Sequence, residues 1–223
     1  MIQKQNKKNK LKRLLSVLLV ILSLSSFAQI EVSPMVGYFF GGSTNFYEGS
    51  IKIKDNINYG LHLGFDMGHH NGIEFSYSLS PTIAQWRPSF NYNDILPARD
   101  FNLNTHTFLL GGLKGIPLAN DNMIGFGGFK LGAIMYHPTN SNQVNISDVW
   151  RFMVGINAGI KFFINDIVGL RIQGNMYMPL YFNGGGFYCG IGSGGSNCGA
   201  SVNSTVVIFE GDLSAGLIFK LGQ

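Results

Sequence analysis

The side chains of this sequence that could do chemistry are few, and their spacing points to structure more than to catalysis. Cys189 and Cys198 are the only cysteines, and they share a run with Gly184, Gly185, Gly186, Gly190, Gly192, Gly194, Gly195 and Gly199. A disulfide closing so short a loop is worth about 2–3 kcal/mol. Two free thiols or a metal pair are the alternatives, and an oxidising compartment favours the disulfide. The glycine run lacks the Lys-Ser/Thr and the strand-to-helix setting of a phosphate loop. His69-His70 precede Asn71-Gly72, where Asn-Gly supplies the positive φ angles of a tight hairpin; Asp66 is the only obvious further metal ligand nearby. His106 and His137, with Ser204 or Asp148, have the residue types of a lipase- or acyltransferase-like site, but no nucleophile elbow accompanies them. No catalytic residue, cofactor or metal is assigned from these positions.

The elements that hold these residues follow from the N-terminal segment and from periodicity. Lys4, Lys7, Lys8, Lys10, Lys12 and Arg13 precede an apolar run, Leu14 to Leu24, and the small-residue ending Ser26-Phe27-Ala28. That order is a secretory signal peptide over residues 1–28, followed by a domain over 29–223. The apolar run is shorter than the ~20 residues a spanning helix needs. The whole chain has 16 Lys+Arg against 12 Asp+Glu, and six of the basic residues lie in the signal. The remainder has ten against twelve, a net charge of −2. The basicity therefore belongs to the signal, and no basic patch remains to suggest nucleic acid as a partner.

Charged residues make up only 13% of the chain, against roughly 25% in a soluble domain. No stretch beyond the signal reaches 18 consecutive apolar residues, so a spanning helix is not expected. An exported, apolar, weakly charged chain without such a helix fits a closed membrane barrel, in which every backbone group pairs between strands.

Eight segments alternate with period 2: about 30–40, 56–68, 72–87, 102–114, 123–137, 149–164, 168–182 and 204–221. In the seventh, Leu170, Ile172, Met176, Met178 and Leu180 oppose Arg171, Gln173, Asn175 and Tyr177. In the third, Ile73, Phe75, Tyr77 and Leu79 oppose Glu74, Ser76, Ser78 and Ser80. Pro34, Pro81 and Pro179 inside strands suggest bulges or strand ends. A soluble sandwich or barrel alternates too, so the connections decide. They run long, short, long, short: 41–55, 69–71, 88–101, 115–122, 138–148, 165–167 and 183–203. Short periplasmic turns, long external loops and both ends in the periplasm are the outer-membrane pattern. Trp86, Trp150, Tyr38, Tyr136, Tyr181 and Phe182 fall at external strand ends and suit an interfacial aromatic girdle.

This pattern resembles the small eight-stranded OmpA/OmpX-like transmembrane barrels, the outer membrane protein β-barrel domain group, over essentially all of residues 29–223. The ending Gly216-Leu217-Ile218-Phe219-Lys220-Leu221 is similar to the terminal strand that barrel-assembly machinery recognises, although the chain ends in Gln223 rather than Phe. The resemblance implies an all-β, up-and-down antiparallel fold and an outer-membrane location in a Gram-negative bacterium. It implies no activity.

Alternation places nearly every strand charge inside the barrel. Glu31, Asp66, Glu74, Glu210 and Asp212 lie on strands one, two, three and eight, which form one wall; Lys114, Lys130, Arg151, Lys161 and Arg171 lie on four to seven, which face it. Lys220 is the exception. The interior of eight strands is just wide enough for side chains to fill. Unpaired charges there carry a desolvation cost of several kcal/mol. A salt-bridged plug blocking the lower half is expected, with room for an open upper cavity. A charge-lined channel is the alternative. The expected function is a structural or interaction barrel, supporting the envelope, binding a partner through its loops or assisting a secretion machine. Membrane lipid or lipopolysaccharide is its expected surround. A narrow pore and a lipid-modifying enzyme are the competing readings.

Overall fold

The computed structural model describes residues 29–45, 47–90, 97–118, 122–139, 147–192, 195–206 and 208–221, with backbone alone for 181–206. The expected signal peptide, residues 1–28, lies outside the described residues. The strands are β1 (Gln29–Phe40), β2 (Ser43–Asn45), β3 (Gly49–Ile53), β4 (Asn56–Asp66), β5 (Asn71–Pro88), β6 (Arg99–Pro117), β7 (Met123–Pro138), β8 (Val149–Phe163), β9 (Val168–Gly192), β10 (Gly195–Val206) and β11 (Glu210–Leu221). Eight of them, in the ring β1-β4-β5-β6-β7-β8-β9-β11, are each antiparallel to the next, and the β1–β11 ladder closes the circle. Closure removes the exposed edges that an open sheet would present to lipid.

The outer face is apolar all the way round. Val36, Tyr59, Phe75, Leu110, Phe129, Ile156, Ile172 and Leu213, one from each ring strand, are large and exposed. A continuous apolar belt of this kind is far beyond what a soluble surface carries. The chain is thus an all-β transmembrane barrel. The tight turns gather at its lower end and the long connections at its upper end.

Two of the long connections are themselves ladders. Residues 41–55 contain the β2–β3 hairpin, and β3 pairs with the top of β5 from Gly49↔Pro88 to Ile53↔Ala84. The expected loop 183–203 is instead the continuation of β9, which pairs with β11 low down and with β10 above. At 25 residues, β9 is more than twice the ~9–11 a crossing needs. The eighth segment is likewise divided, Ser204 to Val206 belonging to β10.

The prolines interrupt hydrogen bonding without shifting register. The β1–β11 ladder omits Ser33 and Pro34 and resumes in the same register at Met35↔Gly216. Pro81 sits where β5 passes from its partner β4 to its partner β3, a gap in which a missing N–H costs nothing; its carbonyl accepts from Asn56 Nδ2 at 2.6 Å. The β4–β5 hairpin differs from expectation. Its positive φ angles fall on Gly68 (88°), His69 (53°) and His70 (58°), while Asn71 and Gly72 already belong to β5. Gly72 is needed for closeness instead, since a Cβ there would lie 2.8 Å from the Phe65 carbonyl oxygen.

Candidate functional site

The interior is layered. Its middle is an ionic cluster centred on Glu74, which β5 aims inward with Ser76 by simple alternation. Lys130 of β7 donates to Glu74 Oε1 at 2.5 Å and to Ser76 Oγ at 2.6 Å. Arg171 of β9 donates from Nη1 to Oε2 at 2.5 Å and from Nη2 to Oε1 at 2.9 Å. His62 Nδ1 lies 2.7 Å from Ser76 Oγ and 3.2 Å from Glu74 Oε1. Gln173 accepts from Arg171 Nε at 2.7 Å, which completes the guanidinium's orientation. Below, the Phe126 ring lies 4.6 Å from the Arg171 Cζ, a contact that favours a desolvated cation. Glu74, Lys130 and Arg171 are 1–2% exposed, so solvent does not reach this layer from either end.

Beneath the cluster, Lys161 donates to Glu31. The lower mouth is a vestibule of about 330 Å³ bordered by that pair, Asp66, His70, Asp166 and Lys220. Lys220 Nζ stands 3.8 Å from the Phe163 ring centroid, and Asp66 accepts from the Gly68 N–H at 2.8 Å. Above the cluster, Asp212 accepts from Tyr177 at 2.5 Å and from Asn175 at 2.7 Å. Glu210 accepts from Tyr136 at 3.0 Å. Beside these acids and reaching above them the filling is hydrocarbon: Phe39, Leu103, Leu109, Ile134 and Met153 belong to one buried cluster, with Ile134 and Met153 wholly inaccessible.

Of the ten charges expected inside, Glu31, Asp66, Glu74, Lys130, Arg151, Lys161, Arg171, Glu210 and Asp212 lie on inward-facing positions. Lys114 does not, and this corrects the expectation. In β6 the odd residues Leu103, Thr105, Thr107, Leu109 and Leu113 are buried, so Lys114 falls on the outer face at the strand's lower end, exposed. There a long stem lies along apolar surface while the ammonium reaches water. The wall-to-wall pairing also needs revision. Asp212 and Glu210 are held by Tyr177, Asn175 and Tyr136 rather than by bases, because the two deepest cations both turn to Glu74. Tyr136 therefore faces inward and does not belong to an outer girdle; Trp86 shares the inward parity of β5. Tyr38 and Trp150 face out. The side chains of Tyr181 and Phe182 lie outside the described residues.

His106 and His137 both sit on the outer face. Tyr77 and His106 Nδ1 are 3.0 Å apart, and His137 Nδ1 meets Asp148 Oδ1 at 2.6 Å. No hydroxyl joins His137 and Asp148 among the described side chains, and that of Ser204 is outside them. Cys189 and Cys198 are direct cross-strand partners in the β9–β10 ladder, which satisfies the spacing a disulfide needs; their side chains lie outside the described residues. Beyond the membrane belt, Arg87 donates to Asp100 at 2.6 Å. That bond, with a second from Gln85, holds the exposed Asp100 carboxyl below its ordinary range.

No protein-family model and no curated protein matches the sequence. Solved structures do resemble its fold. OprG, an outer membrane protein from Pseudomonas aeruginosa, superposes with a TM-score of 0.61 at 10% identity, covering 88% of this chain and 97% of that one. Neisserial surface protein A, NspA, does so with a TM-score of 0.52 at 14% identity, covering 86% and 97%. At such identities the likeness is one of architecture: this chain has the fold of a small, closed, eight-stranded outer-membrane barrel.

Proposed function

We propose that the protein is a non-conducting barrel of the outer membrane that serves a structural or interaction role, with its upper end turned outward. The observation that carries this reading is the Glu74–Lys130–Arg171 cluster, which joins three strands across the lumen and is closed to solvent. A pore needs a continuous wet path, and here an ionic layer and a hydrocarbon layer lie in series. The β9–β10 ladder and the β2–β3 ladder supply paired strands above the membrane belt, suited to binding a partner protein or lipopolysaccharide. An envelope or secretion-machine component is the kind of partner meant. The test is single-channel recording in planar bilayers together with membrane fractionation. No conductance steps and recovery in the outer membrane are expected; regular steps, or recovery as a soluble protein, overturn the reading.

A further inference from the structure

The interior of a membrane barrel is ordinarily its polar side. Here the upper mouth is the reverse: a half-open cavity of about 320 Å³ walled by Ile53, Ala84, Phe101, Leu103, Val149 and Ile208. Ile53, Ala84, Leu103 and Ile208 also belong to the buried cluster, so these walls are packed from behind. The cavity has a floor. On β7 and β8, Ile134 and Met153 stand one inward position below the lining residues Tyr136 and Arg151, and both are wholly inaccessible.

The polar side chains among the described lining residues are Thr44, Tyr136 and Arg151, and the protein engages the two larger ones itself. Tyr136 donates to Glu210 at 3.0 Å. Arg151 donates through Nη1 to the Trp150 carbonyl at 2.9 Å and is engaged elsewhere in the protein as well. The Glu210 carboxyl stands behind the same wall, so acid and guanidinium flank Tyr136. An ion entering this cup would shed its hydration and meet no uncommitted charge. Water is a poor filling too, since it needs about 2–4 polar partners. Uncharged hydrocarbon forfeits nothing there and gains by leaving water. Capacity sets the size: an apolar cavity of roughly 150 Å³ takes one benzene, so a cup of about twice that volume suits a fused bicyclic body.

We propose that the cup is a binding site for a small, uncharged, apolar molecule of bicyclic size, which enters by the upper mouth and is held above the floor. This goes beyond the structural role proposed above and is independent of it, because a floored cup binds whether or not the lower layers conduct.

The probe is 2-naphthol, uncharged at neutral pH, titrated calorimetrically into the protein in lipid nanodiscs with empty nanodiscs subtracted. Saturable binding near one equivalent is expected. Naphthalene-2-carboxylate, an anion on the same ring system, should bind at least about tenfold more weakly. In methyl-labelled protein the resonances of Ile53, Leu103 and Val149 should move with the same midpoint, while those of the lipid-facing Ile156 and Leu213 stay in place. Ala84→Leu, which fills the cup from β5, and Val149→Phe, which fills it from β8, should each abolish saturable binding. Heat-modifiable gel migration identifies the variants that fold, and the methyl shifts of the unmodified protein decide the matter if neither does. Absence of saturable binding overturns the proposal. So does a carboxylate that binds as tightly as the naphthol, a shift confined to Ile156 and Leu213, or a folded filling variant that binds normally.

Discussion

Glu74 and Arg171 stand on β5 and β9, four places apart in an eight-membered ring, and their side chains meet across the full width of the lumen in a two-pronged contact of 2.5 and 2.9 Å. Lys130 reaches the same carboxylate from between them. One acid therefore ties two bases, and removing it leaves both cations buried without their anion. Glu74→Gln should lower stability by about 3–5 kcal/mol. Chemical unfolding in micelles, followed by the heat-modifiable gel shift, measures it; a change below about 1 kcal/mol would show that the cluster does not brace the barrel.

The hydrocarbon layer makes a contrasting prediction. Met153→Ala deletes wholly buried atoms and should cost about 2–5 kcal/mol. Because the ionic layer beneath stays intact, the variant should remain silent in planar bilayers. Conductance from Met153→Ala would mean that hydrocarbon alone seals the lumen.

Asp212 depends on hydroxyl and amide donors, not on a base. Tyr177→Phe removes one of them from a buried carboxylate and should destabilise the barrel by about 1–3 kcal/mol. Asn175→Ala, which removes the other, should fall in the same range, and the double variant should exceed the sum of the singles. Additive losses would show that the two donors act independently.

For Cys189 and Cys198, mass spectrometry of protein alkylated without reductant should find neither thiol modified. Cys198→Ser should lower stability by about 2–3 kcal/mol. Complete alkylation of both thiols under non-reducing conditions would exclude the bridge.

Asp100 supplies a pH dependence outside the membrane belt. Its carboxyl is held low by its bonds from Arg87 and Gln85, so what the contact contributes is present above the ordinary carboxylate range and lost as pH falls through the depressed value. An NMR titration of Asp100 should place its midpoint below that of a model peptide. Arg87→Gln should move the midpoint upward; an unchanged midpoint would show that Arg87 is not its cause.

Period-2 alternation was legible wherever one face is apolar and the other polar. In the strand holding Glu74 and Ser76, and in the one holding Arg171, Gln173 and Asn175, the inward set can be read from the order of residues, since a slip of one position would expose charge to lipid. Where both faces are apolar the signal fails. In β6, Leu103, Leu109 and Leu113 face in while Phe108 and Leu110 face out, so the sequence offered no reason to send Lys114 outward. Tyr136 suited an interfacial belt equally well, and only its bond to Glu210 shows otherwise.

The long connections were the other blind spot. Glycine-rich, irregular segments carry no alternation, yet 41–55 and 183–203 form ladders because a strand already standing above the membrane offers them unpaired backbone groups. That cooperation is invisible in either segment alone.

By itself, then, the sequence determined the all-β class, the count of eight spanning strands and the polarity of most inward positions, because these follow from local periodicity and from the order of long and short connections. Tertiary structure alone decided which charges meet, that Asp212 and Glu210 rest on tyrosines, and that the upper lumen is hydrocarbon. Those outcomes depend on which residues share a height across the barrel. That height is set by ring closure and ladder register, which no single strand encodes.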